Sequence, residues 1–429
     1  MREMKDNGIE WIGAIPQDWQ LSKIGSLYTQ RNEKVSDKDY QPLSVTMQGI
    51  LPQLATAAKT DDGDNRKLVR VGDFAINSRS DRRGSCGISP LDGSVSLINI
   101  ILTPRTAMHP GYYNWLFHTT LFADEFYKWG HGIVADLWTT RWQEMKSITV
   151  PVPEYAEQER IAAFLDAECA EIDAVLEKTR ASIEEYKKLK QAVITQAVTK
   201  GIRGDRPMKD SGIEWIGDIP AEWRKTQLCH CAAIKSGITL GKKYEKTDSL
   251  VERPYLRVAN VQDGYVDLSV LTTIEVTQDE DLKYRLRAGD VLMTEGGDRD
   301  KLGRGCVWHG EIEPCLHQNH IFAVQTSKDT LLPEFLEYLT VSDVGRSYFD
   351  VTAIKTTNLA CTSSSKVLAF TIPLPSVEEQ AEIVEALNTK CAGIDALVAK
   401  KQQYLTEIEN YKKSLIYEYV TGKKEVHPL

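Results

Sequence analysis

Apolar residues recur in two long stretches at alternating steps that average near 3.5 residues. The first holds Ile161, Leu165, Ile172, Leu176, Ile183, Tyr186 and Val193, and the second Ile383, Leu387, Ile394, Val398, Leu405, Ile408 and Leu415. That spacing is a coiled-coil seam. Each stretch predicts a helix of about 45 residues, roughly 65–70 Å long. A helix of that length with one narrow apolar stripe needs a partner along its length, and the economical partner is the other stretch. The outer faces (Glu184, Glu185, Lys187 and Lys188; Glu407, Glu409, Lys412 and Lys413) read as solvated surface. Pro151-Val-Pro153 and Pro373-Leu-Pro375 mark extended hinges before the helices, because the residue preceding a proline avoids the helical region. Ser376 and Glu379 have capping-box spacing. Gly201 and Gly422 suit C-caps, and 201–207 reads as a linker.

The two helices belong to a larger repeat. MKDNGIEWIGAIPQDW at 4–19 returns as MKDSGIEWIGDIPAEW at 208–223, with twelve of sixteen residues identical. ITVPVPEYAEQERIAAFLDAECAEIDAVL at 148–176 pairs with FTIPLPSVEEQAEIVEALNTKCAGIDALV at 370–398. The chain is one plan written twice: a compact body, a Pro-x-Pro hinge and a long helix. The divisions expected are a first body at 1–150, a helix and linker at 151–207, a second body at 208–372 and a last helix at 373–429. Both bodies read as mixed strand and helix. Segments 94–104 and 319–325 suggest strands, and 110–130 and 332–349 suggest helices.

Composition narrows the class. The 429 residues are 42% hydrophobic and 26% charged, as in soluble globular proteins. No run approaches the roughly 18 apolar residues that span a bilayer, and the first residues carry no apolar signal core. A cytoplasmic protein without a membrane partner is expected, with its eight cysteines reduced and mainly buried. The net charge is −9 and no segment is globally basic, so a nucleic-acid surface must be a local patch.

Such patches can be nominated. KLVRVGDFAINSRSDRRGSCGIS at 67–89 aligns loosely with YRLRAGDVLMTEGGDRDKLGRGCVW at 284–308. Each has a Gly-Asp turn, a short apolar strand and a Gly-rich loop carrying arginine. Glycine permits close backbone approach, and arginine forks suit phosphate oxygens and guanine edges. The candidate contacts in the first body are Arg79, Ser80, Arg82 and Arg83. In the second they are Arg299, Lys301 and Arg304, with Lys242, Lys243, Arg257, Asn260, Gln262, Gln318 and Asn319, since Asn and Gln can read adenine edges. A solvated loop is the plain alternative. Trp11, Trp19, Trp215 and Trp223 recur at identical spacing in both halves and look like a fixed anchor of each body; Trp138 and Trp142 remain open. Cys306, Cys315, His317 and His320, or Cys229-His230-Cys231, lack paired Cys-x2-Cys spacing, and no metal site is expected. No phosphate loop, GxGxxG, HExxH, adenine-methylase tetrapeptide or nuclease carboxylate cluster is visible, which weighs against an enzyme.

These pieces together resemble the specificity subunits of type I restriction-modification systems. The resemblance rests on GIEWIG-x-IP-x2-W (Gly8 to Trp19, Gly212 to Trp223), PxP-x3-EQ (Pro151 to Gln158, Pro373 to Gln380) and the helix ends VTKG (Val198 to Gly201) and VTG (Val420 to Gly422). It implies an α+β protein with two mixed α/β target recognition domains, two long antiparallel coiled-coil helices and an internal pseudo-twofold repeat. It implies that each body reads one half of a split site in double-stranded DNA while the helices fix the gap. Two methyltransferase subunits, and restriction subunits that translocate DNA, would be partners. S-adenosylmethionine, ATP and Mg would sit on those partners, with no cofactor on this chain. Two other readings stay open: a two-headed protein scaffold without DNA readout, and a self-sufficient DNA-modifying enzyme.

Overall fold

The structure, a computed structural model, describes residues 2–53, 63–132, 138–245, 249–297, 302–355 and 360–426. The chain divides into two compact units: residues 1–180 with 403–429, and residues 181–402. The division falls inside both long helices, Tyr155–Lys200 and Val377–Val420.

The first body is built on a four-stranded antiparallel sheet, ordered Cys86–Ile88, Phe74–Asn77, Asn99–Pro104 and Tyr28–Arg31. The second body repeats that order with Gly305–Val307, Val291–Thr294, Ile321–Thr326 and Ala232–Ser236. In each, a pair of helices covers the sheet: Pro110–Phe117 with Thr120–Lys128, and Pro333–Val341 with Asp343–Thr352. The continuous helices expected at 110–130 and 332–349 are therefore each broken once. Thr119 caps the new start in the first, accepting the Phe122 N–H at 3.2 Å, and Ser342 makes the break in the second. The expected strand at 94–104 is also split, by a turn in which the Asn99 N–H returns to the Ser96 carbonyl.

The hinges form strands. Thr149–Val152 pairs with Gln20–Lys23, and Thr371–Leu374 with Arg224–Gln227. Each hinge thus closes its body by returning to the segment after the conserved-spacing tryptophan. The tryptophans are anchors, as their spacing suggests. Trp19 and Trp223 are each 1% exposed. The Trp19 Nε1–H donates to Glu157 at 2.9 Å, and Trp223 does the same to Glu379 at 2.9 Å. Arg2 pairs with Glu157 and lies over Trp19; Arg206 pairs with Glu379 at 2.6 Å and lies over Trp223. Each unit therefore carries the same three-residue clasp. It alters one expectation. Ser376 does accept the Glu379 N–H at 3.3 Å, but the Glu379 carboxylate serves Trp223 and Arg206 rather than completing a capping box.

The neighbouring glutamine completes the joint. Gln158 donates to the Pro153 carbonyl at 2.8 Å and accepts the His109 N–H at 2.9 Å. Gln380 donates to Pro375 at 3.0 Å and accepts the Leu332 N–H at 2.8 Å. His109 and Leu332 are the N-caps of the first covering helices, so one amide locks the long helix to its body and supplies an otherwise orphaned helix N-terminus.

Each body also receives the end of a long helix. In the first unit the Tyr112 hydroxyl donates to the Val420 carbonyl at 2.8 Å, and Lys423 donates to the Ile12 carbonyl at 2.6 Å. Gly422 has φ +71°, and a Cβ there would stand 2.5 Å from Pro16, so both backbone and space demand glycine. In the second unit Val198 and Ala197 join a core with Ile219 and Trp223, and Arg206 donates to the Lys200 carbonyl at 2.8 Å.

Within each unit the helix segments run antiparallel. In the first, Phe164 meets Tyr419 at 4.4 Å, Asp173 pairs with Lys412 at 2.6 Å and Arg180 with Glu409 at 2.5 Å. In the second, Lys401 lies over Tyr186, Lys190 pairs with Asp395 at 2.7 Å and Arg203 with Glu382 at 2.7 Å. Glu409 and Lys412 thus reach across the seam, where plain solvated surface was expected. The apolar seam is less uniform than its spacing suggests. Ile161 and Leu165 belong to the core of the first body, and Ile383 and Leu387 to that of the second. Leu176 and Ile183 are buried, while Ile172, Ile394, Val398 and Leu405 are half-buried.

Candidate nucleic-acid interface

Both Gly-Asp turns support their loops identically. Asp73 is buried and accepts the Arg70 N–H at 2.9 Å, while its own carbonyl accepts the Ser89 N–H at 2.8 Å. Asp290 accepts the Arg287 N–H at 3.0 Å, and its carbonyl takes the Trp308 N–H at 2.8 Å. Their outer partners differ. Arg31 and the Thr103 hydroxyl reach Asp73, whereas Gln325 reaches Asp290. Bonded to no cationic side chain among the described residues, Asp290 is pushed up by burial, against its hydrogen bonds and the nearby charges of Lys235 and Arg287. From each turn a buried strand runs to the Gly-Arg loop, and the sheet's edge strand returns from it.

The first loop is a short 3-10 turn, Ser80–Arg82. It is pinned where the Ser80 N–H donates to the Trp138 carbonyl at 2.9 Å and where Arg79 bridges Thr139. Its arginines are not equivalent. Arg79 pairs with Asp81 at 3.1 Å. Arg83 pairs with Asp124 and lies over the Tyr127 ring. Arg82 is exposed, and its guanidinium has no partner among the described residues. A cation held by no carboxylate keeps its full hydrogen-bonding capacity for a phosphate or base edge.

In the second body Arg299 and Lys301 lie outside the described residues. Gly296–Gly297 leads to this loop and pairs with Ala360–Cys361, matching the Arg79 to Thr139 bridge. Arg304 pairs with Asp263 at 3.5 Å. Lys242 is committed to Glu280 and lies over Tyr244. Burial would raise Glu280, yet hydrogen bonds from Lys242, the Thr277 N–H and Tyr244 outweigh it and hold the carboxyl at about 2. Lys243 is exposed. Asn260 must be withdrawn as a base reader. It is 4% exposed; its amide donates to the Asp267 and Val270 carbonyls at 2.8 and 2.9 Å, and its oxygen accepts the Arg257 N–H. Gln318 accepts the Val258 N–H at 3.4 Å, and Gln262 donates to the Ala259 carbonyl at 2.8 Å. These amides build the turn; Arg257 and Asn319 are half-buried beside it.

Cys306 and Cys315 lie in an apolar cluster with Trp308 and Leu256, and burial pushes both thiols up to about 12. His317 is buried and driven down to about 4, whereas His320 pairs with Glu295 at 2.5 Å. Among the described residues no three such side chains converge as metal ligands, and no helix is long and apolar enough to cross a membrane.

No family model matches the chain. The EcoKI specificity subunit of Escherichia coli K12 is 23% identical over 441 residues, covering 96% of this chain and 90% of that protein. The MjaVIII specificity subunit of Methanocaldococcus jannaschii is 24% identical over 436 residues, covering 97% and 95%. The MjaX specificity subunit of that organism matches over 208 residues at 25% identity; the chain spans about half (47%) of its length. The resemblance to type I specificity subunits holds over nearly the whole chain. The fold agrees. A chain from a structural study of complex assembly and conformational transition in the type I R-M system superposes with a TM-score of 0.72 at 16% identity, covering 96% of this chain and 99% of that one. The HsdS subunit from Thermoanaerobacter tengcongensis gives 0.52 at 17% identity, covering 96% and 98%.

The motifs that carry the type I resemblance are the joints between body and helix. Glu157 and Gln158, Glu379 and Gln380, the buried tryptophans and the terminal glycines all hold parts together. Sequence reasoning missed two elements beside the loops. One is the returning segment, 138–140 in the first body and Ala360–Cys361 in the second. It carries Trp138, which is exposed, whereas Trp142 packs against the core. The other is a hairpin tip laid along each sheet edge.

Proposed function

We propose that this chain is the DNA-reading subunit of a type I restriction-modification complex, each body reading one half of a bipartite, gapped site. The observation that carries the reading is the doubled Gly-Arg loop. Two loops stand on the same Gly-Asp support and the same sheet edge, in bodies joined to their helices by identical clasps. The contacts nominated are Arg82 foremost, with Arg79, Ser80 and Arg83, and in the second body Lys243, Arg257, Arg304 and Asn319, with Arg299 and Lys301 from the sequence. The antiparallel helices set the gap and dock two methyltransferase subunits, with restriction subunits joining them. S-adenosylmethionine, ATP and Mg act on those partners, and this chain supplies address rather than chemistry in the cytoplasm. Its acidic balance fits partner subunits that provide much of the phosphate grip.

The test is co-expression with the neighbouring genes, followed by mapping of methylated adenines. A split motif that disappears when this chain is deleted supports the reading. Unchanged methylation beside an active methylase contradicts it and favours a protein scaffold.

A further inference from the structure

Met47 is 71% exposed, the highest value among the exposed large apolar residues described. It sits at the tip of a hairpin, Leu43–Thr46 with Gly49–Pro52. The root of this hairpin is fixed: Leu43 and Ile50 are buried against Val69, Ala75, Val95 and Ile101. The tip is fixed as well, for the Thr46 hydroxyl donates to the Gly49 carbonyl at 2.9 Å and accepts the Gln48 N–H at 3.1 Å. The hairpin is also pressed on the sheet edge. A Cβ at Gly87 would stand 2.9 Å from the Gly49 Cα, and Gly87 lies four residues beyond Arg83. A two-stranded ribbon pinned at root and tip therefore presents an apolar side chain and an exposed carboxamide beside the strand that leaves the Gly-Arg loop.

The second body repeats the placement with different residues. Val261 bridges Val266, and the Gln262 N–H donates to the Tyr265 carbonyl at 3.0 Å. Asp263 at this tip pairs with Arg304 of the Gly-Arg loop. Tyr265 is 59% exposed. It opens, with Asp263 and Arg304, onto a cleft of about 1390 Å³. Five lysine and arginine side chains, five carboxyl groups and His309 line that cleft, so cations do not dominate it as a phosphate-binding groove would require; readout there falls to the tip's aromatic face.

We propose that the tip at 46–49 is a second reading element of the first body. It enters the major groove of DNA as a two-stranded ribbon, a shape that groove admits. Gln48 hydrogen-bonds an adenine edge and Met47 packs on a thymine methyl group. Tyr265 holds the equivalent position for the other half-site. This rests on the DNA-reading function proposed above and adds a base class to it: the first half-site contains an A·T pair read by Gln48.

The experiment selects DNA from a random pool with the complex of full chain and methyltransferase subunits, for wild type, Met47→Ala, Gln48→Ala and Tyr265→Ala. All three side chains are exposed, so unchanged thermal unfolding is expected and shows the variants intact. Gln48→Ala is expected to lower the preference for A·T at one first-half position by about tenfold and to leave the second half unchanged. Met47→Ala weakens the neighbouring position, and Tyr265→Ala alters the second half only. A wild type that selects a bipartite motif, with Met47→Ala and Gln48→Ala variants that select the same motif undiminished, overturns the tip as reader while leaving the DNA-reading function standing. A wild type that selects no bipartite motif overturns both.

Discussion

The clasps and the loops of the two bodies behave oppositely. Arg2, Trp19 and Glu157 reappear as Arg206, Trp223 and Glu379 with the same bonds. The loops keep only their supports. Beyond the shared Gly-Asp turns, the first body presents an uncommitted Arg82 and a Met-Gln tip, while the second ties Arg304 to an acidic tip and displays a tyrosine. Joints are duplicated because the same helices must be gripped twice. Reading surfaces diverge because nothing in the scaffold constrains them.

The largest expected effect breaks a clasp. Glu379→Ala leaves Arg206 with the exposed Glu222 as its remaining carboxylate among the described residues and the Trp223 N–H without its acceptor. Removing one partner of a buried pair costs about 3–5 kcal/mol, visible as a lower melting temperature. Glu157→Ala costs less, because its pair with Arg2 is more exposed. An unchanged melting temperature in both variants would deny that the clasps secure the bodies. A substitution at the sheet edge comes next. Gly87→Ala forces its Cβ against the Gly49 backbone, costs about 2 kcal/mol and should loosen first-half recognition in selection experiments, leaving the second half intact.

The third expectation distinguishes the units by pH. Burial pushes Glu337 up to about 7, with Glu334 and Asp263 adding to the rise. The folded second unit favours the protonated carboxyl. Its stabilising contribution is complete below about pH 4.5 and fades as pH rises through 7. Glu337→Gln should therefore be more stable than wild type at pH 8, by about 1–2 kcal/mol, and indistinguishable at pH 4. A gain of the same size at pH 4 would contradict the assignment. The smallest expected effect concerns single arginines. Arg82→Ala should weaken DNA binding about tenfold without changing the melting temperature. Arg83→Ala should do less to binding, since that side chain already serves Asp124 and Tyr127.

The repeat, the helix bounds and the hinge strands were legible because each has a periodic or punctuated signature. Pro153 and Pro375 mark the helix starts, Gly201 and Gly422 end the helices, and the tryptophan spacing marks the anchors. The site was only half legible. Arginines in a Gly-rich loop announce themselves, but their carboxylate partners lie far along the chain. Asp124 neutralises Arg83 and Glu280 neutralises Lys242, and neither pairing has a local signal. Asn260 looked like a base reader because its side chain could be one; only tertiary contacts show it filling its own turn. The tip at 46–49 went unseen because Thr-Met-Gln-Gly lacks the usual turn pairs.

The central claim is that one body reads one half-site. Its most direct test is DNA selection by the assembled complex carrying Arg82→Ala with Arg83→Ala. The account predicts a gapped two-part motif for wild type and, for the double variant, a motif degraded in the first half alone. Both halves degraded alike, or both selected as well as by wild type, would contradict it.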